Sequence, residues 1–305
     1  MDNSNKLRSL FESKVNCFMP VVFGLSAWYQ HIPFAYWLIE KVKPKSYLEM
    51  GVHNGISYFA VCESIKQMGL STKCVALDHW VGDSQAGFFS ADVFENFVKN
   101  NQQYSEFSSY KRNNFVKSMT EIEDDSIDLI HIDGFHSYAA VKNDFQLALN
   151  KIDKSVGIIL MHDINEYQVT FGVNKFWNEI ESKFKTFRFN HGHGLGVVFI
   201  GNNIDLNFLN LFDEKDNYFP NILRDFFELL GQRISLFAEN EKLNKASLKV
   251  SQDVLNLNQL LQDRERDIER MANQFELDLL RITNSFSWKI TQPMRRLSRI
   301  LKSTK

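Results

Sequence analysis

Two segments of the chain end an apolar run with acidic residues and histidines. In SIDLIHIDGFHSY, which covers residues 126–138, the apolar run stops at Asp133, and His136 follows three residues later. In GIILMHD the run ends in His162 and Asp163. A buried strand that ends in this way places titratable groups at the carboxyl edge of a sheet, where open α/β sheets bind ligands and carry out chemistry. The two segments together predict an enzyme.

The chemistry open to this set is proton transfer. Two carboxylates and two imidazoles meet at one sheet edge, and either His136 or His162 is a candidate general base that removes the proton of a substrate hydroxyl. His131 lies two residues before Asp133 and shares a strand face with it. We interpret His131 as a hydrogen-bonded core residue. His136 lies in a turn just past a glycine, so we expect it to be functional.

A second constellation lies upstream, in EMGVHNGIS, residues 49–57. This segment follows a predicted strand and opens a predicted helix. Gly51 allows a tight turn there, and Gly55 allows a ligand to approach the backbone closely. The next predicted strand ends in Asp78, 23 residues after Gly55, where a Rossmann-like sheet places an acid that binds ribose hydroxyls. The middle glycine of a dinucleotide fingerprint is missing, so the pattern indicates a nucleoside without a pyrophosphate and argues against a nicotinamide-dependent dehydrogenase.

The bulk composition narrows the class of protein. The chain has 305 residues, 44% of them apolar and 24% charged, and a formal net charge of −2. This composition is typical of a globular protein, and the net charge argues against a large basic surface that binds nucleic acid. The three cysteines lack metal-ligand spacing and fit reduced thiols. We find no secretory signal and no stretch near the roughly 18 apolar residues of a membrane span. The sequence predicts a cytoplasmic protein, soluble or peripheral on the inner face of the membrane.

Strand-like and helical segments alternate through the first half of the chain. Short apolar runs at residues 46–50, 73–77, 127–132 and 157–161 are separated by helical patterns at residues 58–68, 91–100 and 138–149. This alternation predicts a Rossmann-like α/β fold with a mostly parallel sheet. Residues 184–189 and 195–200, joined by NHGHG, predict an antiparallel hairpin that ends the sheet.

Beyond Gly201 the chain becomes helical and carries a heptad pattern. Between Leu243 and Ile282, nine of twelve a and d positions are apolar, which predicts a long helical arm that forms a coiled coil and a homo-oligomer. A long helix lying on the domain is the alternative, and the dense charge of the flanking positions argues against it. From Phe286 to the end there are six bases and no acid. This tail is either an amphipathic segment suited to an anionic membrane surface or a solvated charged end.

Residues 28–201 resemble class I S-adenosylmethionine-dependent methyltransferases, and more specifically the bacterial ones found beside or fused to glycosyltransferases in surface-glycan biosynthesis. The matching segments are HIPFAYWLI from His31, LEMGVHNGISY from Leu48, LDHWVGDSQAG from Leu77, LIHIDGFHSYAAVKNDF from Leu129, LMHDIN from Leu160, FGV from Phe171 and HGHGLGVV from His191. One departure is Gln85, at a position where the resemblance predicts histidine. A role of that loop in substrate choice is therefore not carried over.

The resemblance implies a site for S-adenosylmethionine at the ends of the first two strands. Glu49 would face the methionine amino group, Asp78 would hold the ribose, and Trp80 and Ser118 would lie near the adenine. The full implied cofactor-binding set is Glu49, Gly51, Asn54, Gly55, Ser57, Asp78, Trp80 and Ser118. A carboxylate-rich rim suits a cationic sulfonium that also carries ammonium and ribose donors.

The other two segments contain the candidate catalytic residues, which are His136, Asp133 and His162. Related sugar methyltransferases place a divalent metal on carboxylates at these strand ends, so a Mg²⁺ site formed by Asp133, His162 and Asp163 is an expectation as well. Histidine in place of a third carboxylate makes this a less typical site for Mg²⁺.

These observations predict O-methyl transfer from S-adenosylmethionine to a sugar hydroxyl of a growing or lipid-linked glycan, with glycosyltransferases or an anionic membrane as further partners. The predicted parts are an N-terminal lead (1–27), a methyltransferase domain (28–205), a helical connector (206–240), a coiled coil (241–285) and a basic amphipathic tail (286–305). The alternative is a membrane-associated oligomeric scaffold with a vestigial domain. A scaffold has no need of Glu49, Asp78, Asp133 and His136 together, which argues against it.

Overall fold

The computed structural model describes residues 3–85, 87–215 and 218–302. The chain divides into two compact units, Met1–Glu239 and Asn240–Lys305. The first contains the whole sheet, and the second contains the later part of the longest helix and the C-terminal helices. We call them the first unit and the second unit.

The sheet of the first unit has seven strands in the order β5-β2-β1-β6-β7-β9-β8. The strands of the chain are β1 Ser46–Met50, β2 Lys73–Asp78, β3 Gly82–Asp83, β4 Gly87–Phe88, β5 Ser108–Arg112, β6 Leu129–Ile132, β7 Ile158–His162, β8 Lys185–Phe189 and β9 Leu195–Phe199. Strands β5, β2, β1, β6 and β7 pair with one another in parallel. Strand β9 pairs antiparallel with both β7 and β8. The predicted Rossmann-like sheet with a terminal antiparallel hairpin is confirmed.

Helices cover both faces of this sheet. The α-helices are α1 Asn3–Phe11, α2 Ile32–Val42, α3 Ile56–Met68, α4 Ala91–Asn101, α5 Phe115–Met119, α6 Tyr138–Lys151, α7 Val173–Glu181, α8 Leu206–Leu209, α9 Tyr218–Asn284, α10 Phe286–Ile290 and α11 Gln292–Lys302. Polar caps fix two helix starts that matter for the site. The Asn114 side chain accepts a hydrogen bond from the Lys117 N–H at the start of α5, and the Ser137 hydroxyl accepts one from the Ala140 N–H at the start of α6.

The predicted strand and helix positions agree with the structure to within a few residues. β1 has the predicted bounds, whereas β6 begins at Leu129, because Ile127 only bridges to Ile152. Helix α3 begins at Ile56, two residues before its predicted start. The short β3–β4 hairpin had no counterpart in the sequence pattern, since two-residue strands carry no periodicity.

Two apolar clusters lie on the opposite faces of the sheet. One contains buried residues of α2 and α3, including Phe34 and Trp37, and the other contains buried residues of α6 and α7, including Phe145 and Trp177. Full burial of such a side chain stabilises a fold by roughly 1.5–3 kcal/mol. The strand ends are therefore held by packing on both faces, which gives the polar residues that follow them fixed positions.

The connector predicted at residues 206–240 packs into the first unit. The early turns of α9 bury Phe219, Leu223, Phe227 and Ile234. At Gly231 a Cβ would lie 2.2 Å from the backbone oxygen of Gln30, so only glycine lets the helix approach that closely.

In the second unit the apolar heptad positions are exposed in the single chain. Leu257 and Leu261 of α9 are 59% and 61% exposed. Helix α10 begins at a cap formed by the Ser285 hydroxyl, and the Arg295 guanidinium of α11 lies 3.7 Å from the centre of the Trp288 ring. The predicted helix is confirmed, and the oligomer stays a prediction. Residues 303–305 of the predicted tail lie outside the described residues. In the described part of the chain, no helix is long and apolar enough to cross a membrane.

Candidate active site

A cavity of about 840 Å³ opens at the carboxyl ends of the parallel strands. Its walls come from the turn after β1, the end of β2, the start of α5, the segment between β6 and α6, and the end of β7. The predicted site residues that line it are Gly51, Asn54, Ser57, Asp78, Asp133, His136, His162 and Asp163. Both constellations found in the sequence therefore open into one cavity.

The turn after β1 is fixed by the carboxylate of Asp78. One of its oxygens accepts hydrogen bonds from the backbone N–H groups of Val52 and His53, each at 2.9 Å. Gly51 has φ +89°, and a Cβ there would lie 2.0 Å from the carbonyl oxygen of Asp133. Backbone atoms fill that space, so only glycine fits. The turn is thus pressed against the end of β6.

Glu49, which the resemblance places at the methionine amino group, is fully buried and does not line the cavity. The hydroxyls of Tyr47 and Ser57 donate hydrogen bonds to its carboxylate, at 2.6 Å for Ser57, and His131 Nδ1 lies 3.2 Å from it. His131 Nε2 accepts a hydrogen bond from the Trp28 indole at 3.1 Å, so His131 is a core residue as expected. Because β1 is covered on both faces, the Glu49 side chain points into protein and anchors these polar groups.

Trp80, Ser118 and Gly55 also lie outside the cavity lining. The Trp80 indole donates a hydrogen bond to the backbone oxygen of His53 at 2.9 Å, and its ring packs against Phe97 with centroids 4.7 Å apart. Ser118 is buried in α5, on the side that faces the core. Packing thus turns the side chains of Trp80 and Ser118, which the resemblance places near the adenine, away from the cavity.

The acidic residues and histidines of the two strand ends form one cluster. His136 Nε2 lies 2.8 Å from Asp163 Oδ2 and 3.7 Å from Asp133 Oδ1. His162 Nδ1 lies 3.4 Å from Asp133 Oδ1 and 3.3 Å from Asp163 Oδ1, and its Nε2 lies 3.1 Å from the backbone oxygen of Gly192. Both imidazoles therefore stand beside the same two carboxylates, with His162 more deeply buried.

Opposite charges set the protonation of this cluster. Burial lowers the pKa of His136, but Asp133 and Asp163 outweigh it and raise this pKa to about 9. Burial also lowers the pKa of His162, and the same carboxylates raise it well above its ordinary value. Burial raises the pKa values of both carboxyl groups, but the two histidines lower them below the usual range. His136 is thus mostly protonated at neutral pH, and the same carboxylates favour the protonated form of His162.

This charge state corrects the expectation that either histidine is a free base. Both nitrogens of His162 face acceptors, which favours the protonated form of His162 beside the two carboxylates. His136 faces the cavity, and it becomes a base once its proton is lost. That requires a pH near 9, or another cation that takes over the charge compensation of Asp133 and Asp163 and so lowers the pKa of His136.

Gln85 ties His136 to two neighbouring segments. Its side-chain oxygen lies 3.0 Å from the backbone nitrogen and 3.2 Å from Nδ1 of His136, and its amide N–H donates to the Thr170 backbone oxygen at 3.0 Å. The Phe171 ring stacks on His136, with centroids 4.5 Å apart and planes 4° from parallel. An acceptor at Nδ1 directs Nε2 toward the carboxylates. The departure from the resembled family thus lies in direct contact with the candidate base.

A group of three residues can provide the ligands of a metal ion. One ligand atom from each of Asp133, His136 and Asp163 lies within 4.8 Å of the others. Two carboxylates and one imidazole are a donor set that divalent cations accept. The expected set was Asp133, His162 and Asp163, and in this group His136 stands in the place of His162. The His162 Nε2 lies 3.1 Å from the backbone oxygen of Gly192.

Sequence reasoning missed several residues of the lining. They include Phe89, Asn114, Phe115, Phe135 and Asp144. Asp144 had a detectable signal, because it lies among the buried positions Val141, Phe145 and Ala148 of α6. Burial raises the pKa of Asp144 to about 7. An acid on the apolar face of a helix is unusual.

Residues 48–164 match a family model described as a methyltransferase domain. The matched segment is less than half of the chain. Two curated proteins of uncharacterised function are similar in sequence. One, from Sinorhizobium fredii, is 38% identical over 59% of this chain and 20% of that protein. The other, from Acanthamoeba polyphaga mimivirus, is 29% identical over 47% of this chain and 65% of that protein. The chain thus spans less than two thirds of either relative.

Among solved structures, the O-methyltransferase from Bacillus cereus in complex with S-adenosylhomocysteine is similar, with 15% identity and a TM-score of 0.43. The likeness covers 65% of this chain and 92% of that one. A methyltransferase from Geobacter sulfurreducens has 12% identity and a TM-score of 0.43, over 66% and 90% of the two chains.

Proposed function

We propose that this protein is an S-adenosylmethionine-dependent O-methyltransferase. One observation carries the proposal: the carboxylate–histidine cluster at Asp133 and Asp163 opens into the same cavity as the glycine turn and Asp78. A methyl donor and an acceptor hydroxyl both have to reach one place, and this cavity provides a polar site for each. The match of residues 48–164 to a methyltransferase domain supports the same reaction class.

The residues around Asp78 fit a nucleoside. A carboxylate has about four lone-pair sites, and backbone N–H groups of Val52, His53 and Trp80 use three of them. One remains for a ribose hydroxyl. Gly51 leaves the backbone bare at the cavity wall, which allows close approach of a ligand.

In the proposed reaction an acceptor oxygen forms a bond to the methyl carbon while the carbon–sulfur bond of the sulfonium breaks. The products are a methyl ether, S-adenosylhomocysteine and a proton. His136 takes the hydroxyl proton at Nε2, and Asp133 and Asp163 stabilise the resulting imidazolium. A divalent cation such as Mg²⁺, if held by Asp133 and Asp163, would supply positive charge to the acceptor oxygen and leave the Nε2 lone pair of His136 free for the proton.

The acceptor we propose is a sugar hydroxyl of a growing or lipid-linked surface glycan. The resemblance of the sequence to glycan methyltransferases supports this substrate. The cavity adds support, since the rings of Phe89 and Phe135 line it and Phe135 is 36% exposed. Aromatic rings at the edge of a polar site suit the C–H faces of a sugar ring.

The test is turnover of labelled S-adenosylmethionine on a panel of nucleotide sugars and lipid-linked glycans, with Mg²⁺ and with a chelator. Label transfer to one acceptor, absent for Asp133→Asn, would support the proposal. Tight binding of S-adenosylhomocysteine without transfer to any acceptor would favour a scaffold with a vestigial domain. No binding at all would overturn the cofactor assignment.

For the second unit we propose that the heptad stripe joins copies of this chain, and that the basic tail then meets an anionic membrane surface or a glycosyltransferase at the inner face of the membrane. Leu257 and Leu261 are exposed in the single chain, and an apolar stripe of this length is unfavourable in water. Several linked tails bind a surface where one does not.

Light scattering tests the oligomer. The full chain is expected to be at least dimeric, and replacing both Leu257 and Leu261 by lysine should give monomers. The matched control Gln259→Lys adds charge to the same turn outside the a and d positions and should leave the mass unchanged. A monomeric parent would contradict the proposal. Sedimentation with phosphatidylserine vesicles, compared for the parent and the lysine variant, tests the tail.

A further inference from the structure

Asp144 is a buried carboxyl group that the proposed reaction does not use. It lies in the second turn of α6, is 6% exposed and lines the cavity together with Ala140, one turn earlier. No salt bridge reaches it within the described part of the chain, and the one hydrogen bond that bears on its pKa comes from the neighbouring Asn143. An unpaired carboxyl is unfavourable at such a position, so a ligand is a physical reason for its presence.

Gly134 lets this carboxyl group reach the cavity beside an aromatic ring. A Cβ on Gly134 would lie 2.9 Å from Asp144 Oδ2 and 2.7 Å from Phe115 Cε2. Because glycine leaves that space free, the carboxyl group and the Phe115 ring converge where the segment after β6 meets the start of α5. This corner combines an apolar face with a polar edge.

The corner formed by Asp144 and Phe115 lies where the base of the adenosyl group has to bind. In an adenosyl sulfonium the ribose lies between the sulfur and the base. With the ribose at Asp78 and the sulfur near the Asp133 cluster, the base has to contact other lining residues. Trp80 and Ser118 lie outside the lining. Asn114, at the cap of α5, and Asp144, on α6, are the polar residues that these two helices contribute to the lining.

We propose that Asp144 recognises the adenine of S-adenosylmethionine, accepting a hydrogen bond from the 6-amino group with one oxygen and donating one to N1 from the other, protonated oxygen. The Phe115 ring packs against the base. This inference rests on the proposed function, because it names the base-recognition residue of the same cavity. Burial raises the pKa of Asp144 to about 7, so a large fraction is neutral at neutral pH and can both donate and accept.

The experiment compares two ligands on three proteins by calorimetric titration. The ligands are S-adenosylhomocysteine and its analogue with unsubstituted purine in place of adenine, which lacks the 6-amino group. The proteins are the full-length parent, Asp144→Asn and Asp144→Leu. The asparagine amide keeps a donor and an acceptor, whereas leucine has a similar shape and neither. Asp92→Asn makes the same chemical change at an exposed position of α4 and is the control.

The parent and Asp144→Asn should bind S-adenosylhomocysteine within about threefold of each other, and each should prefer it to the purine analogue by about tenfold. In Asp144→Leu this preference should disappear. Thermal melting in the absence of ligand shows whether each variant is folded. The preference of the parent is measured without any substitution, so an unstable variant does not remove the test.

A parent that binds S-adenosylhomocysteine but does not prefer it to the purine analogue would overturn this inference and leave the proposed function intact. The same conclusion would follow if folded Asp144→Leu kept the full preference. A parent that binds neither ligand would overturn the proposed function itself. The two failures are therefore distinguishable.

Discussion

Asp133 and Asp144 line the same cavity, yet their carboxyl groups are shifted in opposite directions. Burial raises the pKa of Asp133, but His162 and His136 outweigh it and hold it well below the usual range. Burial also raises the pKa of Asp144, to about 7, against a weaker opposing hydrogen bond from Asn143, and no salt bridge reaches this carboxyl group among the residues that the structure describes. Burial alone therefore does not decide the charge of a cavity carboxyl group. The surroundings of Asp133 favour an ionised carboxyl group, whereas those of Asp144 favour a neutral one.

The largest expected effect lies at the ionic end. His136→Ala should lower the rate of methyl transfer by a factor of about 10² to 10⁴, because a positioned proton acceptor is lost. Binding of S-adenosylhomocysteine should change by less than about threefold. Single-turnover kinetics and calorimetry separate the two quantities.

His193→Ala is the matched control for this change, because His193 pairs with Glu166 and does not line the cavity. It should retain the parental rate. Parental turnover by His136→Ala would instead assign the proton to another acceptor.

At the other end, the comparison predicts a pH-dependent stability. The ordinary pKa of an aspartate is 3.8, and that of Asp144 in the folded protein is about 7. Between these values the folded state holds a proton that the unfolded state has lost, so this group makes stability fall as pH rises, and its effect is constant above pH 7. Asp144→Asn should therefore be more stable than the parent by up to about 4 kcal/mol at pH 8, with a much smaller difference at pH 4.

Urea unfolding of parent and variant at both pH values measures this difference. Asp92→Asn, at an exposed position, should show no such pH dependence. An equal effect of Asp144→Asn at pH 4 and pH 8 would mean that the Asp144 carboxyl group is ionised in the folded protein as readily as in the unfolded one.

The smallest expected effect concerns the contact that orients His136. Gln85→Ala removes the acceptor at Nδ1 and the link to Thr170, so the imidazole gains freedom. We expect about a tenfold loss of rate, as for a single net hydrogen bond of roughly 1.4 kcal/mol, at unchanged affinity for S-adenosylhomocysteine.

Gln85→Glu keeps an acceptor for His136 and loses the donor to Thr170, so it should lose less rate than Gln85→Ala if orientation of the ring is what matters. Gln67→Ala changes an exposed glutamine of α3 and is the control. A full parental rate for Gln85→Ala would show that Phe171 stacking alone orients the ring.

Local patterns predicted six of the seven strands of the main sheet and missed β5 and the short β3–β4 hairpin. Each predicted strand is a short apolar run, and each is found within a few residues of its predicted bounds. The positions of Asp78, Asp133 and Asp163 at one edge followed from these runs, because parallel strands bring their carboxyl ends together. The long helix α9 was predicted from the spacing of apolar residues in the heptads, which is a helical period.

Local patterns did not predict the direction of side chains that emerge from a strand or a short helix. Glu49 and Ser118 are placed correctly along the chain, but both side chains are buried in protein. The direction of a side chain depends on which layer packs over it. That packing comes from segments distant in the chain, such as Trp28 beside His131 behind Glu49.

The sequence by itself determined the order of strands and helices, the turn at Gly51, and the presence of two carboxylates and two imidazoles at one edge. Only the tertiary structure decided the charge of these groups. The carboxylates favour the protonated forms of both histidines, Gln85 and Phe171 orient His136, and Gly134 leaves space for the Asp144 carboxyl group at the cavity. These effects act over a few ångströms between residues far apart in sequence, and a pattern along the chain contains no such distances.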